Sequence, residues 1–203
     1  MKYNDISKYK AYIFELDNVI YPEKDYLFQV YYLFTSFIEY IELFDAKVLT
    51  DLMVETYHNE GKDEVFNTVQ QKFALDEKYR ENFDRLLLTA KLPLKLLAYQ
   101  AVLDLLQNVV INRKKIFIVT NGNPQQQLNK IRYTEWHGLE AYLTCYFAEE
   151  TTPMPAPDVL QLLLKEHTLE ERDVVMIGNS EASKHSAEVG GIDYYNADDI
   201  LPT

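Results

Sequence analysis

Cysteine, glycine and positive charge are all scarce in this sequence, and each shortage removes a class of structure or function. A single thiol, Cys145, excludes an internal disulfide and fits a reducing compartment. It lies in Tyr142-Leu143-Thr144-Cys145-Tyr146-Phe147, which reads as a buried strand, so the thiol is assigned to packing and not to nucleophilic work. No uninterrupted apolar run approaches the ~18 residues that a membrane span needs. The opening Met1-Lys2-Tyr3-Asn4-Asp5 lacks the apolar core of a signal peptide. A cytoplasmic protein without a membrane partner is therefore expected. The 20 Lys and Arg residues face 32 Asp and Glu, a net charge of −12. Nucleic acid is disfavoured as a partner, because phosphate contacts need clustered basic side chains.

What is present is a core-forming composition, 47% hydrophobic over 203 residues, enough for one domain or a domain with a sizeable insert. Short apolar runs at Ala11 to Phe14, Ile116 to Val119, Leu143 to Phe147, Val174 to Ile177 and Ile192 to Tyr195 read as strands. Helical patterns at Pro124 to Tyr133, Pro157 to His167 and Glu181 to Val189 separate the later ones. Strands alternating with helices are the signature of a parallel sheet with crossover helices. Asn123-Pro124 is a good helix start, since Asn caps and Pro suits the first turn. From about Glu23 to Val110 the rhythm changes. Apolar residues such as Leu86, Leu87, Leu94, Leu97, Ala101 and Leu105 fall at helical spacing, so a helical insert is expected between the first two strands. The 16 tyrosines, several of them in Tyr26 to Tyr40, fit either the packing of that insert or a ligand cleft or interface.

Four segments fall at the carboxyl ends of these strands, where open α/β sheets bind ligands. They are Glu15-Leu16-Asp17-Asn18-Val19, Thr120-Asn121-Gly122, Met154-Pro155-Ala156-Pro157-Asp158 and Gly178-Asn179-Ser180-Glu181-Ala182-Ser183. In that order, with a helical insert after the first, they resemble the signature motifs of haloacid dehalogenase-like hydrolases. Leu16 to Pro22 is similar to the pyrimidine nucleotidase-type members with a helical cap. The resemblance implies a Rossmannoid three-layer α/β/α parallel sheet. It also implies a core domain at 1–20 and 96–203 and an inserted helical cap domain at 21–95.

The same resemblance assigns the site. Glu15 stands at the position of the nucleophilic aspartate and Asp17 at that of the general acid and base. Thr120 and Asn121 take the phosphate-binding turn, and Met154 the lysine position. Glu15, Asp17, Asn179 and Ser183 stand where magnesium ligands belong. Three departures accompany this match. Glu15 is one methylene longer than aspartate, and displacement of a reacting atom by ~1 Å can cost ~100-fold. Met154 carries no charge to steady an anionic transition state, and in the alternative register the same position is Thr152. Asn179 and Ser183 replace acids, although magnesium favours carboxylates. Lys184 and His185, next in the chain, would restore positive charge if Lys184 pointed inward. His58, His137 and His167 are scattered without metal-ligand spacing, and Trp136 is assigned to packing.

Magnesium is accordingly expected to be weak or absent. Three functions stay open. One is a catalytically impaired or inactive member, a pseudo-phosphatase, that binds a small phosphorylated molecule or anion or a protein partner. Another is an active magnesium-dependent phosphatase or nucleotidase with Glu15 as nucleophile. The third is an interaction module using the tyrosine-rich cap.

Overall fold

The computed structural model describes residues 8–201. In chain order these form β1 (Ala11–Phe14), α1 (Glu23–Glu42), α2 (Ala46–Glu60), α3 (Val65–Phe73), α4 (Arg80–Thr89), β2 (Leu96–Leu97) and α5 (Gln100–Ile111). There follow β3 (Lys115–Thr120), α6 (Pro124–Tyr133), β4 (Thr134–Glu135), β5 (Leu143–Phe147), α7 (Asp158–His167), β6 (Val174–Gly178), α8 (Glu181–Val189) and β7 (Asp193–Asn196). The described residues divide into two compact units, one running from residue 8 to Glu23 and from Leu96 to residue 201, the other of Lys24–Lys95.

The first unit is an α/β/α sandwich. Its main sheet has the order β5-β3-β1-β6-β7, and every pairing is parallel. Side chains alternate across the strands. Ala11, Ile13, Phe117, Val119, Val174 and Met176 share a buried cluster with Val159, Leu160 and Leu163 of α7 and Ala187 of α8. Tyr12, Phe14, Ile116, Ile118, Val175 and Ile177, all buried, point to the opposite face, where right-handed crossovers place α5 and α6. β1 is buried throughout, as a central parallel strand must be. The chain passes from β1 to β3 on one side and later to β6 on the other. The carboxyl end of β1 is therefore the switch point at which such sheets form a crevice.

Two features depart from the sequence reading. The run Leu143 to Phe147 was expected to be a buried strand, but β5 is a sheet edge and only half-buried. Cys145 is accordingly half-buried, and burial still pushes its thiol up to about 11. The thiol stays protonated and unreactive near neutrality. A two-stranded parallel sheet, Leu96–Leu97 with Thr134–Glu135, was not expected; two-residue strands carry too little periodicity to be read.

The second unit is helical. Its core is aromatic: Phe34 of α1 meets Phe83 of α4 at 5.1 Å between ring centres and Phe66 of α3 at 5.9 Å. Tyr26, Tyr31 and Tyr79 are buried in it, and the Tyr26 hydroxyl donates to the Leu87 carbonyl at 2.7 Å. Packing explains these tyrosines, whereas Tyr32 and Tyr40 are exposed. Asp45 caps α2 by accepting from the Lys47 and Val48 amides. Among the described residues no helix is long and apolar enough to cross a membrane.

Candidate active site

The segment after β1 closes into a tight loop. Asn18 adopts a left-handed conformation, φ 59°, which asparagine tolerates better than most residues. Its amide donates to the Tyr21 carbonyl at 2.9 Å and its side chain accepts from the Glu23 amide at 2.9 Å. This turn sets Glu15 and Asp17 in different surroundings.

Glu15 reaches across to the turn between β6 and α8. Its Oε2 accepts from the Asn179 amide (2.8 Å), the Ser180 amide (3.1 Å) and the Ser183 hydroxyl (2.7 Å). Its Oε1 accepts from the Ser180 hydroxyl at 2.7 Å. Four donors of the chain itself thus hold the carboxylate, three on Oε2 and one on Oε1. The carboxylate also lies at the amino end of α8, where the helix dipole favours negative charge. Ser180 caps that helix by accepting from the Ser183 amide. Behind it, Tyr194 places its hydroxyl 3.4 Å from Ser183 Oγ. Burial is the main cause holding the Tyr194 phenol above its usual range; the Ser183 hydrogen bond opposes this, while the charges of Glu15, Glu181 and Asp198 reinforce it.

Glycine is required beneath this cluster. A Cβ on Gly178 would stand 2.5 Å from Glu15 Oε2, 2.6 Å from Ser183 Oγ and 3.1 Å from Tyr194 Cε2. Because the first two atoms are tied to each other, Gly178→Ala is expected to cost about 1–3 kcal/mol through overpacking. Urea unfolding measures this, and wild-type stability in the variant would mean that the Glu15 cluster is loose.

Asp17 is held differently. Its Oδ1 accepts from the Tyr21 hydroxyl at 2.7 Å, and its Oδ2 receives the Lys130 ammonium at 2.6 Å. The Lys130 side chain is 1% exposed and also lies 3.8 Å from Glu23 Oε1. Sequence reasoning passed over this residue. α6 carries the apolar residues Leu128 and Ile131 at helical spacing. In fact Leu128 is exposed, while Gln127 and Lys130 are buried. The available signal was that Gln127, Lys130 and Thr134 line one polar stripe. Lys184 and His185 are exposed and do not restore positive charge by pointing inward.

The remaining predicted positions are also engaged internally. Asn121 forms a two-bond clamp on Met154, donating from Nδ2 to its carbonyl and accepting its amide at Oδ1, both at 2.9 Å. The Met154 side chain is 4% exposed and belongs to the apolar cluster under α7. Thr120 is buried, and its hydroxyl makes a long 3.3 Å contact with the Asn121 carbonyl. Asn179 is exposed, its side-chain amide donating weakly to the Asn18 carbonyl at 3.4 Å. The structure thus brings Glu15, Asn179 and Ser183 together, and pairs Asn121 with Met154. It ties Asp17 to Lys130.

The comparison with family models decides the identity at family level: the model described as haloacid dehalogenase-like hydrolase matches residues 12–197. The chain belongs to that family. Several solved structures share its fold at low identity. A hydrolase from Streptococcus pneumoniae TIGR4 is 18% identical with a TM-score of 0.57, covering 93% of this chain and 92% of its own. The Unknown transcript 4 protein of Saccharomyces cerevisiae is 15% identical with a TM-score of 0.58, over 92% and 89%. A HAD-superfamily hydrolase, subfamily IA, variant 1, from Geobacter sulfurreducens PCA is 18% identical with a TM-score of 0.55, over 92% and 86%. Among curated proteins none matches the chain.

Magnesium, which the haloacid dehalogenase-like family implies, does not fit the residues present. Each oxygen of Glu15 and of Asp17 already accepts from a donor of the chain. Asn179 and Ser183 are neutral, and Ser183 Oγ is itself directed at Glu15. Among the described residues no three His, Cys, Asp or Glu side chains converge where they could hold a metal ion.

Proposed function

We propose that this haloacid dehalogenase-like chain is a pseudo-phosphatase that performs no phosphoryl transfer and acts by binding. The observation that carries this reading is the fourfold engagement of Glu15. A nucleophilic carboxylate needs an oxygen free to align with the phosphorus. Here three hydrogen bonds to Oε2 and one to Oε1 fasten the carboxylate to the β6–α8 turn, and the longer glutamate side chain is what lets it reach there.

Of the two ligand classes expected from the sequence, small anions and protein partners, the second fits better. Of the side chains that would hold a phosphate, Asn121 is already bonded to the Met154 backbone and the Thr120 hydroxyl contacts the Asn121 carbonyl, and the lysine position beside them is the neutral Met154. A phosphate would have to replace those bonds without gaining charge compensation.

The test is hydrolysis of a panel of phosphate esters with magnesium, including nucleoside monophosphates because Leu16 to Pro22 resembles nucleotidase-type members. Wild type is expected to match Glu15→Gln at the background rate. Turnover that Glu15→Gln abolishes would make Glu15 a nucleophile and overturn the proposal.

A further inference from the structure

The failure of magnesium to fit has a positive counterpart on the other side of the loop. A buried carboxylate needs a compensating charge, and Asp17 is half-buried beside a second acid, Glu23. We infer that the Lys130 ammonium is a built-in substitute for a divalent cation on Asp17, so that the charge balance of this site is independent of metal.

Three features support this. Lys130 Nζ lies 2.6 Å from Asp17 Oδ2 and 3.8 Å from Glu23 Oε1, a position between two carboxylates that a hard cation would otherwise favour. The ammonium is all but removed from solvent, at 1% exposure, whereas the two acids remain 21% and 13% exposed. The lysine has therefore been brought in to the acids rather than meeting them at the surface. Finally, Lys130 comes from α6, whose start is fixed by the Asn123 cap and Pro124, so the ammonium is delivered by a rigid element. A tethered monovalent charge needs no dehydration of a bound ion and no octahedral ligand set, both of which magnesium demands.

The inference concerns metal binding and not turnover, so it can fail while the pseudo-phosphatase reading stands, and the reverse. It is tested by melting the protein in EDTA and in rising Mn2+ and Mg2+. Wild type and Lys130→Arg, which keep the charge, are expected to show no metal-dependent shift. Lys130→Met exposes Asp17 and Glu23 to each other, and its Tm is expected to rise by about 3–6 °C at ten times the dissociation constant of the ion. Adding Asp17→Asn should abolish that rise. A wild-type shift as large as that of Lys130→Met would overturn the inference, as would a folded Lys130→Met variant indifferent to both ions. Should Lys130→Met not fold, Mn2+ binding to wild type is read by electron paramagnetic resonance: submillimolar binding lost in Asp17→Asn refutes the substitution, and its absence supports it.

Discussion

Lys130→Met is expected to lower the unfolding free energy by about 3 kcal/mol, at the lower end of what breaking a buried ion pair costs. The lower end applies because Asp17 keeps some contact with water, at 21% exposure. For a chain of this size that corresponds to a fall in Tm of roughly 6–12 °C. The loss arises less from the missing attraction than from what remains, since Asp17 is left half-buried beside Glu23 without the ammonium that both face. A double-mutant cycle separates the two. Asp17→Asn in the Lys130→Met background removes the uncompensated Asp17 charge, so the double variant should be more stable than Lys130→Met alone. Chemical denaturation of the four proteins gives the coupling energy. Additive losses would mean that the lysine and the aspartate do not act as a pair.

Glu15→Ala is expected to destabilise the protein by about 2 kcal/mol, from hydrogen bonds to a charged acceptor worth roughly 1.5–3 kcal/mol each, discounted for replacement by water and rearrangement. Part of that discount is visible in the structure. Asn179 is exposed, so water can serve its amide, and Ser183 Oγ already has an alternative acceptor in the Ser180 carbonyl at 2.9 Å. The Ser180 amide and hydroxyl lose most. The sign is the informative part. Residues held for chemistry often sit at some cost to stability, so replacing them tends to be neutral or stabilising. A residue that staples β1 to the start of α8 gives the opposite result. Glu15→Asp, one methylene shorter, should lose much of the same set of bonds although it restores the residue type of the family. A thermal melt of the three proteins decides the matter, and a Glu15→Ala variant more stable than wild type would rule out the staple.

The sheet was open to reading because its strands are short apolar runs bounded by polar turns, and β1, α6, β5 and α8 fall on the residues their patterns indicate. The motif loops followed from the strands, since ligands of an open sheet gather at the carboxyl ends and the ordering of the loops is a linear property. Burial of β5 was misjudged because its apolar content matches that of a central strand, and only the strand order reveals an edge.

The sequence by itself determined the fold family, the positions of Glu15, Asp17, Thr120 and Asn179, and the absence of a lysine at Met154. Local pattern and composition are sufficient for these, because each is a matter of residue type at a place along the chain. Where the charges go was decided by the tertiary structure alone. Glu15 bonds to residues 164 to 168 positions away, and Lys130 meets Asp17 across 113. Such pairings depend on which strands lie side by side and which face of α6 turns inward, and the polar stripe of Gln127, Lys130 and Thr134 becomes a buried one only once that face is known.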